Sequence, residues 1–558
     1  MIYIEQKHNI KIPGMSALFV SFDYNAKIVN AIKGVAPVAN YDKKTQTWEL
    51  PVTSLADVIT ALSPFDTIDL TLMKDVKEKL LPVLPHPKYK TKPFEYQLQG
   101  IEYGMQHPKW LLLDAPGLGK TLQMLYLAQA LKEQRGVQHC LIICGVNTLK
   151  VNWKQEILKH TKLSVRILGE RTSSKGRTSI GGVSDRLADL NSKLKEFFII
   201  TNIETLRSND IVKAINKGPN KFDMIVVDEV HRCKNPTSQQ GKNFLKLTSA
   251  TYRIALTGTL LLNNPLDAYV PMKWIGAESC TFSNFKYYYF NYGGSFHNEV
   301  IGYRYVSNLK DQLSSCSLRR TKDLLNLPPK MIQTETVEMN STQQAFYNNV
   351  VDGIFDGIDK VNMDAVTTLS LVARLRQATE CPMYLTTDEV VSEKVVRAVD
   401  LTEQIISGGE KVVIFATFKE TLNVLMKALA GYNPRLCTGD IKDADIFKNV
   451  DDFQNQDSCK VLLCTTSKMG TGVTLTAANH AIFLSSPWTM ADRQQCEDRI
   501  HRIGSDKTVF IHYLVCSGTI DEHVEELVAD KGAVSDYIID DKVSQSTITN
   551  LRKYIQDL

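Results

Sequence analysis

The chain has 558 residues, of which 43% are hydrophobic and 23% charged, which supplies apolar material for two or three buried cores and argues against a disordered tether. A formal net charge of +4 permits a nucleic-acid partner without requiring one, and eleven scattered cysteines with no Cys-x-x-Cys pair argue against a zinc ribbon or a disulfide framework and for a reducing, intracellular setting. Apolar runs such as 111–113 and 140–146 are far shorter than a membrane span, and residues 1–13 lack the apolar stretch of a secretion signal, so a soluble, cytosolic protein without a membrane partner is expected.

Residues 1–85 read as a small α+β module: alternating apolar residues at 18–22, an apolar helical period at 28–32 and a short strand at 48–50. Four prolines within 82–93 keep that stretch extended, as a linker. Short β-rich apolar runs at 110–113, 140–144, 197–201, 224–227 and 252–256 then alternate with helix-length segments, the pattern of βαβ units in a parallel sheet covered on both faces. The same alternation resumes with 411–415, 460–464, 480–484 and 509–514. The expected fold class is therefore α/β. Two tandem parallel-sheet lobes occupy 86–330, with a helical insertion near 262–325, and 396–530. A helical linker at 331–395 joins them, and a tail at 531–558 follows, with an apolar 537–539 and a helical pattern at 548–558.

The first lobe carries the strongest chemical signal. An apolar strand ending in Asp114 is followed by Gly117, Gly119, Lys120 and Thr121 and then by a helical period. This is the order in which a glycine loop offers backbone N–H groups and a helix N-terminus to phosphates, with Lys120 reaching the outer phosphates and the Thr121 hydroxyl holding Mg²⁺. Downstream, a strand ends in Asp228 and Glu229 with His231 following; Asp228 would share the Mg²⁺ and Glu229 would orient or deprotonate an attacking water.

Together these residues resemble the motifs of Swi/Snf-type ATPases of helicase superfamily 2. Residues 114–121 are similar to that family's D-E-x-G-L-G-K-T, where an aspartate at the first position is normal. Tyr96 and Gln97 resemble the adenine-reading Gln motif. Residues 256–259 with Asn263 and Asn264 resemble L-T-G-T-P-L-Q-N, and 318–323 with 327–330 resemble a string particular to the family. In the second lobe, 465–475 with Gly472 resembles the motif coupling nucleotide to DNA. Residues 494–504 resemble Q-x-x-D-R-x-H-R-I-G-Q, with Ser505 in place of the final glutamine.

The resemblance implies two RecA-like lobes, ATP and Mg²⁺ as cofactors, and Arg499 and Arg502, one turn apart, as arginine fingers. It also implies DNA contacts from Lys150, Trp153, Thr257, Lys468 and Trp488. Residues 22–48 resemble the HARP module of annealing helicases, which implies recognition of branched DNA; a structural hairpin with Trp48 packed inside is the alternative. The function implied is ATP-dependent translocation on double-stranded DNA to remodel forks or junctions by a monomer. The compact length suggests a phage or bacterial cytoplasmic protein, otherwise a nuclear one. Two alternatives stand beside it: a motor that displaces a DNA-bound protein such as RNA polymerase, with a replication, recombination or transcription partner, and an ATP-gated junction binder without catalysis.

Overall fold

The computed structural model describes the chain except for residues 9–15, 36–38, 52–53, 71–80, 83–84, 146, 173–177, 259–264, 294–298, 326, 359–364, 387–389, 467–472, 488–489 and 530–558. The tail assignments at 537–539 and 548–558 therefore lie outside the described residues. The chain divides into two compact units, Met1–Ala115 with Gly119–Thr321 and Pro116–Leu118 with Lys322–Leu558. Among the described residues, no helix is long and apolar enough to cross a membrane.

The first unit opens with a five-stranded sheet in the order Asn40–Asp42, Thr47–Pro51, Ser16–Ser21, Ile2–His8, Ile68–Asp69. All pairings are antiparallel except that of Ile2 with Ile68. Period-2 alternation turns Ile2, Ile4, Leu18, Val20 and Leu50 to one face, where they bury Ile28 and Ile32 of helix Ala26–Val35 and Val58 and Leu62 of helix Leu55–Leu62. Trp48 packs half-buried against this core, 5.2 Å from Tyr41 and beneath the Lys33 ammonium. The proline-rich stretch is strapped down rather than free: Tyr89 stacks on Tyr126 at 4.1 Å, and Arg135 donates to the Pro82 carbonyl at 3.0 Å.

The same unit continues into a seven-stranded sheet ordered Ser317–Leu318, Lys109–Leu112, Tyr252–Leu256, Met224–Asp228, Cys140–Cys144, Phe198–Asn202, Val165–Ile167. Every pairing is parallel. Alternate residues feed two cores. Leu111, Leu141 and Ile143 face one layer of helices, while Trp110, Leu112 and Ile142 face the other with Leu125 and Trp153. This two-sided burial is why the strands read as continuous apolar runs. The insertion near 262–325 holds helices Tyr269–Ile275, Phe282–Tyr289 and Val306–Cys316 but also an antiparallel hairpin, Phe290–Gly293 with Glu299–Tyr303.

The second unit is built on a six-stranded parallel sheet ordered Lys330–Val337, Val509–Cys516, His480–Phe483, Val412–Ala416, Val461–Thr465, Arg435–Cys437. The segment expected to be a helical linker corrects here. It starts with Lys330–Val337, which is the outermost strand of the sheet, before helices Ser341–Ile358 and Ala365–Glu380. That strand is largely exposed, and its polar Gln333, Thr334 and Glu335 conceal it from an apolar-period reading.

Two strands further in, His480 stacks against Phe510 and His512, with ring centroids at 5.0 and 5.7 Å. Burial, and then the facing His512 ring, push His480 down to about 4. The unfolded chain, with histidine near 6.5, therefore binds the extra proton between those values, and stability falls as pH drops through that window. The thermal unfolding midpoint should decrease by several degrees from about pH 7 to about pH 5, and His480→Phe should make the decline shallower. An unchanged slope in differential scanning calorimetry of that variant would remove His480 as its source.

Candidate nucleotide site

Strand Lys109–Leu112 delivers the chain to Asp114, and helix Lys120–Arg135 begins six residues later with Gly119 as its N-cap at φ 71°. The left-handed φ favours glycine at that cap, and a Cβ there would also press on Gln97 Nε2 at 2.5 Å. The helix has no acidic side chain in its first turn, so the partial positive charge of its N-terminus is left for an anion. Lys120 Nζ donates to the carbonyls of Asp114 and Ala115 at 2.9 and 3.4 Å, which holds the ammonium over the loop. Thr121 follows in the first turn. Gln97 is buried behind the loop, its Oε1 accepting the Phe94 N–H at 3.0 Å.

Asp114 is fully buried and belongs to a network that sequence reading missed. Arg320 Nε donates to Asp114 Oδ1 at 2.9 Å, a second guanidinium nitrogen pairs with Oδ2, and Gln123 Nε2 donates to Oδ2 at 3.0 Å. Arg320 also donates to Gln123 Oε1 at 2.7 Å and to the Tyr96 carbonyl, with its guanidinium 5.3 Å from the Tyr96 ring. The available signal was a pairing of oddities: an acid where the generic loop has glycine, and two arginines in the family-specific string at 318–323. A bidentate guanidinium–carboxylate fork is the arrangement that a buried Asp requires.

Asp228 ends strand Met224–Asp228, and Glu229 follows at φ 52°. Gly145 makes room for this turn: a Cβ at Gly145 would lie 2.8 Å from Glu229 Cβ. Burial, and then the Glu229 charge, push the Asp228 carboxyl up to about 6, partly countered by the Trp153 indole and by Lys120. Two adjacent carboxylates at a half-buried strand end are hard oxygen donors of the kind a divalent cation takes. His231 Nδ1 lies 3.3 Å from Glu229 Oε2 and 3.1 Å from Thr257 Oγ1, linking two motif segments.

Three expected DNA contacts are corrected by burial. Trp153 is 1% exposed and its indole N–H donates to Asp228 Oδ2 at 3.0 Å. Lys150 is 1% exposed, with Nζ 3.5 Å from Asn202 Oδ1, and Thr257 is fully buried against His231. The spacing of Leu149, Trp153 and Ile157, all buried, is the i, i+4, i+8 stripe of a core-facing helix and was legible as such. Lys468, Gly472 and Trp488 lie outside the described residues, as do Asn263 and Asn264.

In the second unit, helix Met490–Glu497 ends before the two candidate fingers, so Arg499 and Arg502 are half-buried in the turns that follow rather than one helical turn apart. Those turns are fastened from the family-specific string. Lys322 pairs with Asp498, Lys330 Nζ reaches Glu497 Oε2 at 2.5 Å, and His501 Nε2 donates to the Pro328 carbonyl at 2.8 Å. Tyr513 donates to Glu497 Oε1 at 2.7 Å and carries the Arg493 guanidinium 3.5 Å from its ring centroid. Ser505, in place of the family glutamine, accepts the Arg502 N–H at 3.2 Å. The Leu475 N–H donates to the Arg499 carbonyl at 2.8 Å.

The chain matches the SNF2-related domain over residues 73–385 and the helicase conserved C-terminal domain over 394–504. A putative ATP-dependent helicase/translocase YwqA of Bacillus subtilis is 25% identical, the match covering 88% of this chain and 54% of that protein. The bovine DNA annealing helicase and endonuclease ZRANB3 is 26% identical over 79% of this chain and 40% of its own length. The Sulfolobus solfataricus SWI2/SNF2 ATPase core in complex with dsDNA is 25% identical over 86% of this chain and 98% of that one, with a TM-score of 0.38. The chain spans about half the length of the curated relatives that head the comparison.

The Asp114–Arg320 pair sets a measurable expectation. Arg320→Ala leaves a buried carboxylate without its cation, which should cost about 3–5 kcal/mol. Because the two side chains act as one unit, the Asp114→Ala/Arg320→Ala double variant should lose clearly less than the sum of the single changes in urea unfolding; strict additivity would refute the coupling.

Proposed function

Since this chain belongs to the SNF2-related family, we propose that it is a DNA-dependent ATPase that moves along double-stranded DNA and remodels branched DNA by fork or junction migration and strand reannealing. The observation that carries the reading is the pairing of Asp228 and Glu229 at a half-buried strand end, in the same unit as the uncapped helix N-terminus that Gly119 opens.

In this reading, Gly117, Gly119 and Lys120 hold the phosphates of ATP, Gln97 recognises its adenine, and Gly472 is a further nucleotide-binding residue. Thr121 and Asp228 hold Mg²⁺, which when bound neutralises phosphate charge. Glu229, fixed in a left-handed turn, aims its carboxylate at the attacking water. Arg499 and Arg502 stabilise the negative charge that spreads during phosphoryl transfer, a task suited to a guanidinium that never loses its proton. Lys468 and Trp488 remain as DNA contacts, gripping phosphates without regard to sequence. The N-terminal module, with Lys33 over the ring of Trp48 beside Tyr41, is the HARP-like element that distinguishes a branched from a linear substrate. The annealing-helicase relative is the kind of protein this reading resembles.

Two measurements test it. Hydrolysis assayed with single-stranded, duplex, forked and four-way DNA should be stimulated by duplex and branched DNA and not by bare single strands, and removal of residues 1–85 should reduce the preference for branched over linear DNA. Stimulation by RNA alone would overturn the proposal. Glu229→Gln should abolish turnover, by at least about 100-fold, while a fluorescent ATP analogue still binds. Unchanged turnover in this variant would favour a junction binder in which ATP merely gates affinity.

A further inference from the structure

The nucleotide chemistry leaves one conspicuous cluster of the first unit unused. Helix Phe282–Tyr289 leads through the hairpin of the insertion to Arg304 and Tyr305. Arg304 is pinned by its own donors: Nε bonds the Tyr288 carbonyl at 2.8 Å, and a terminal nitrogen bonds the Tyr287 carbonyl. This holds the guanidinium 5.2 Å from the Tyr287 ring centroid and 5.7 Å from that of Tyr305. Tyr305 stacks on Tyr288 at 4.7 Å and 13°. Tyr288 Oη in turn donates to the Val35 carbonyl at 3.3 Å, at the end of a helix of the N-terminal module, and accepts from Asn308 at 3.1 Å. The outer rings stay open to solvent, Tyr287 at 65% and Tyr305 at 41% exposed.

The backbone adds an independent sign. Four non-glycine residues among those described have positive φ. Gln46 lies in a hairpin turn, Asn433 is of a type that tolerates this region, and Glu229 follows Asp228 at the end of its strand. The fourth is Tyr305 at φ 53°, a bulky residue placed just ahead of helix Val306–Cys316. Strain of this kind persists where the fold over-determines the placement of a side chain.

The chemistry selects the occupant. Residues 282–292 and 301–310 contain Lys286, Arg304 and Lys310 as cations and no acid; the acids near them are Glu299 at the start of the second hairpin strand, Asp311, and Asp57, which acts on Tyr288. Open phenol faces beside a fixed guanidinium suit a nucleobase, which stacks on rings while its phosphates meet the positive charge. Paired bases in a duplex already stack on their neighbours, so the face is free only where a base is unpaired. Resting on the reading that the chain works on branched DNA, we propose that Tyr287, Arg304 and Tyr305 form a stacking shelf for the unpaired base at a DNA branch point.

The test places 2-aminopurine at successive unpaired positions next to the branch of a forked DNA and follows its emission as the full-length chain binds. Emission should change at one or two branch positions. Tyr287→Ala should remove that change and weaken fork binding by about ten-fold, leaving linear-duplex affinity and duplex-stimulated hydrolysis as in the unaltered chain, whereas Tyr287→Phe should retain both the signal and the affinity. Tyr305→Gly, which the positive φ accommodates, should behave like Tyr287→Ala. Emission that stays constant at every branch position, or equal weakening of fork and duplex binding in Tyr287→Ala, would overturn the shelf. Failure of the motor reading is seen separately, as absence of any DNA stimulation of hydrolysis in the unaltered chain.

Discussion

The buried pairing of Asp114 with Arg320 is the constraint on which the nucleotide loop rests. A carboxylate with no solvent exposure is tolerated only when its lone pairs are met, and here Arg320 and Gln123 meet them from two directions. The consequence is positional. Asp114 is the last residue before the loop, so clamping its side chain fixes where the loop leaves the sheet, and the same guanidinium binds the carbonyl of Tyr96, next to Gln97. A loop that presents backbone N–H groups works by pre-organisation rather than by side-chain strength, and a clamp at its root provides that.

A second set of restraints surrounds Asp228 and Glu229. One neighbour, Trp153, donates a hydrogen bond that orients Asp228; another, His231, stands between Glu229 and Thr257. Residues expected at a DNA surface thus turn out to support the carboxylates from behind. The same chemistry explains both readings of Trp153, since an indole has a broad apolar body and one donor: in a solvent-facing groove it would stack, and in the core its N–H must find an acceptor.

The central strands of both parallel sheets were legible because burial on two faces leaves them almost wholly apolar, as in Cys140–Cys144 and Val461–Thr465. The margins were not. Ser317–Leu318 is two residues long, Val165–Ile167 carries an arginine at its centre, and Lys330–Val337 is mostly polar. Such strands are defined by the neighbour they join, and a one-dimensional pattern does not contain that neighbour. The site divides similarly. The glycine loop and the two acids are contiguous in sequence and were found, whereas Arg320 acts on Asp114 across 206 positions and only the folded chain brings them together. In the second unit the string at 322–330 was recognised by family likeness alone; its physical task, holding Asp498, Glu497 and His501, emerged from the contacts.

The outermost strand of the six-stranded sheet, Lys330–Val337, carries a practical corollary for handling the protein. With Met331 and Ile332 more than half exposed and a backbone rim that no other described strand covers, it is the place where two molecules in a concentrated solution would begin to zip together. Gln333, Thr334 and Glu335 interrupt the run, and Glu335 is engaged there with Arg397. Solubility during expression is accordingly expected to hinge on that short polar stretch, and a clone that replaced it with aliphatic residues would trade a folded product for inclusion bodies.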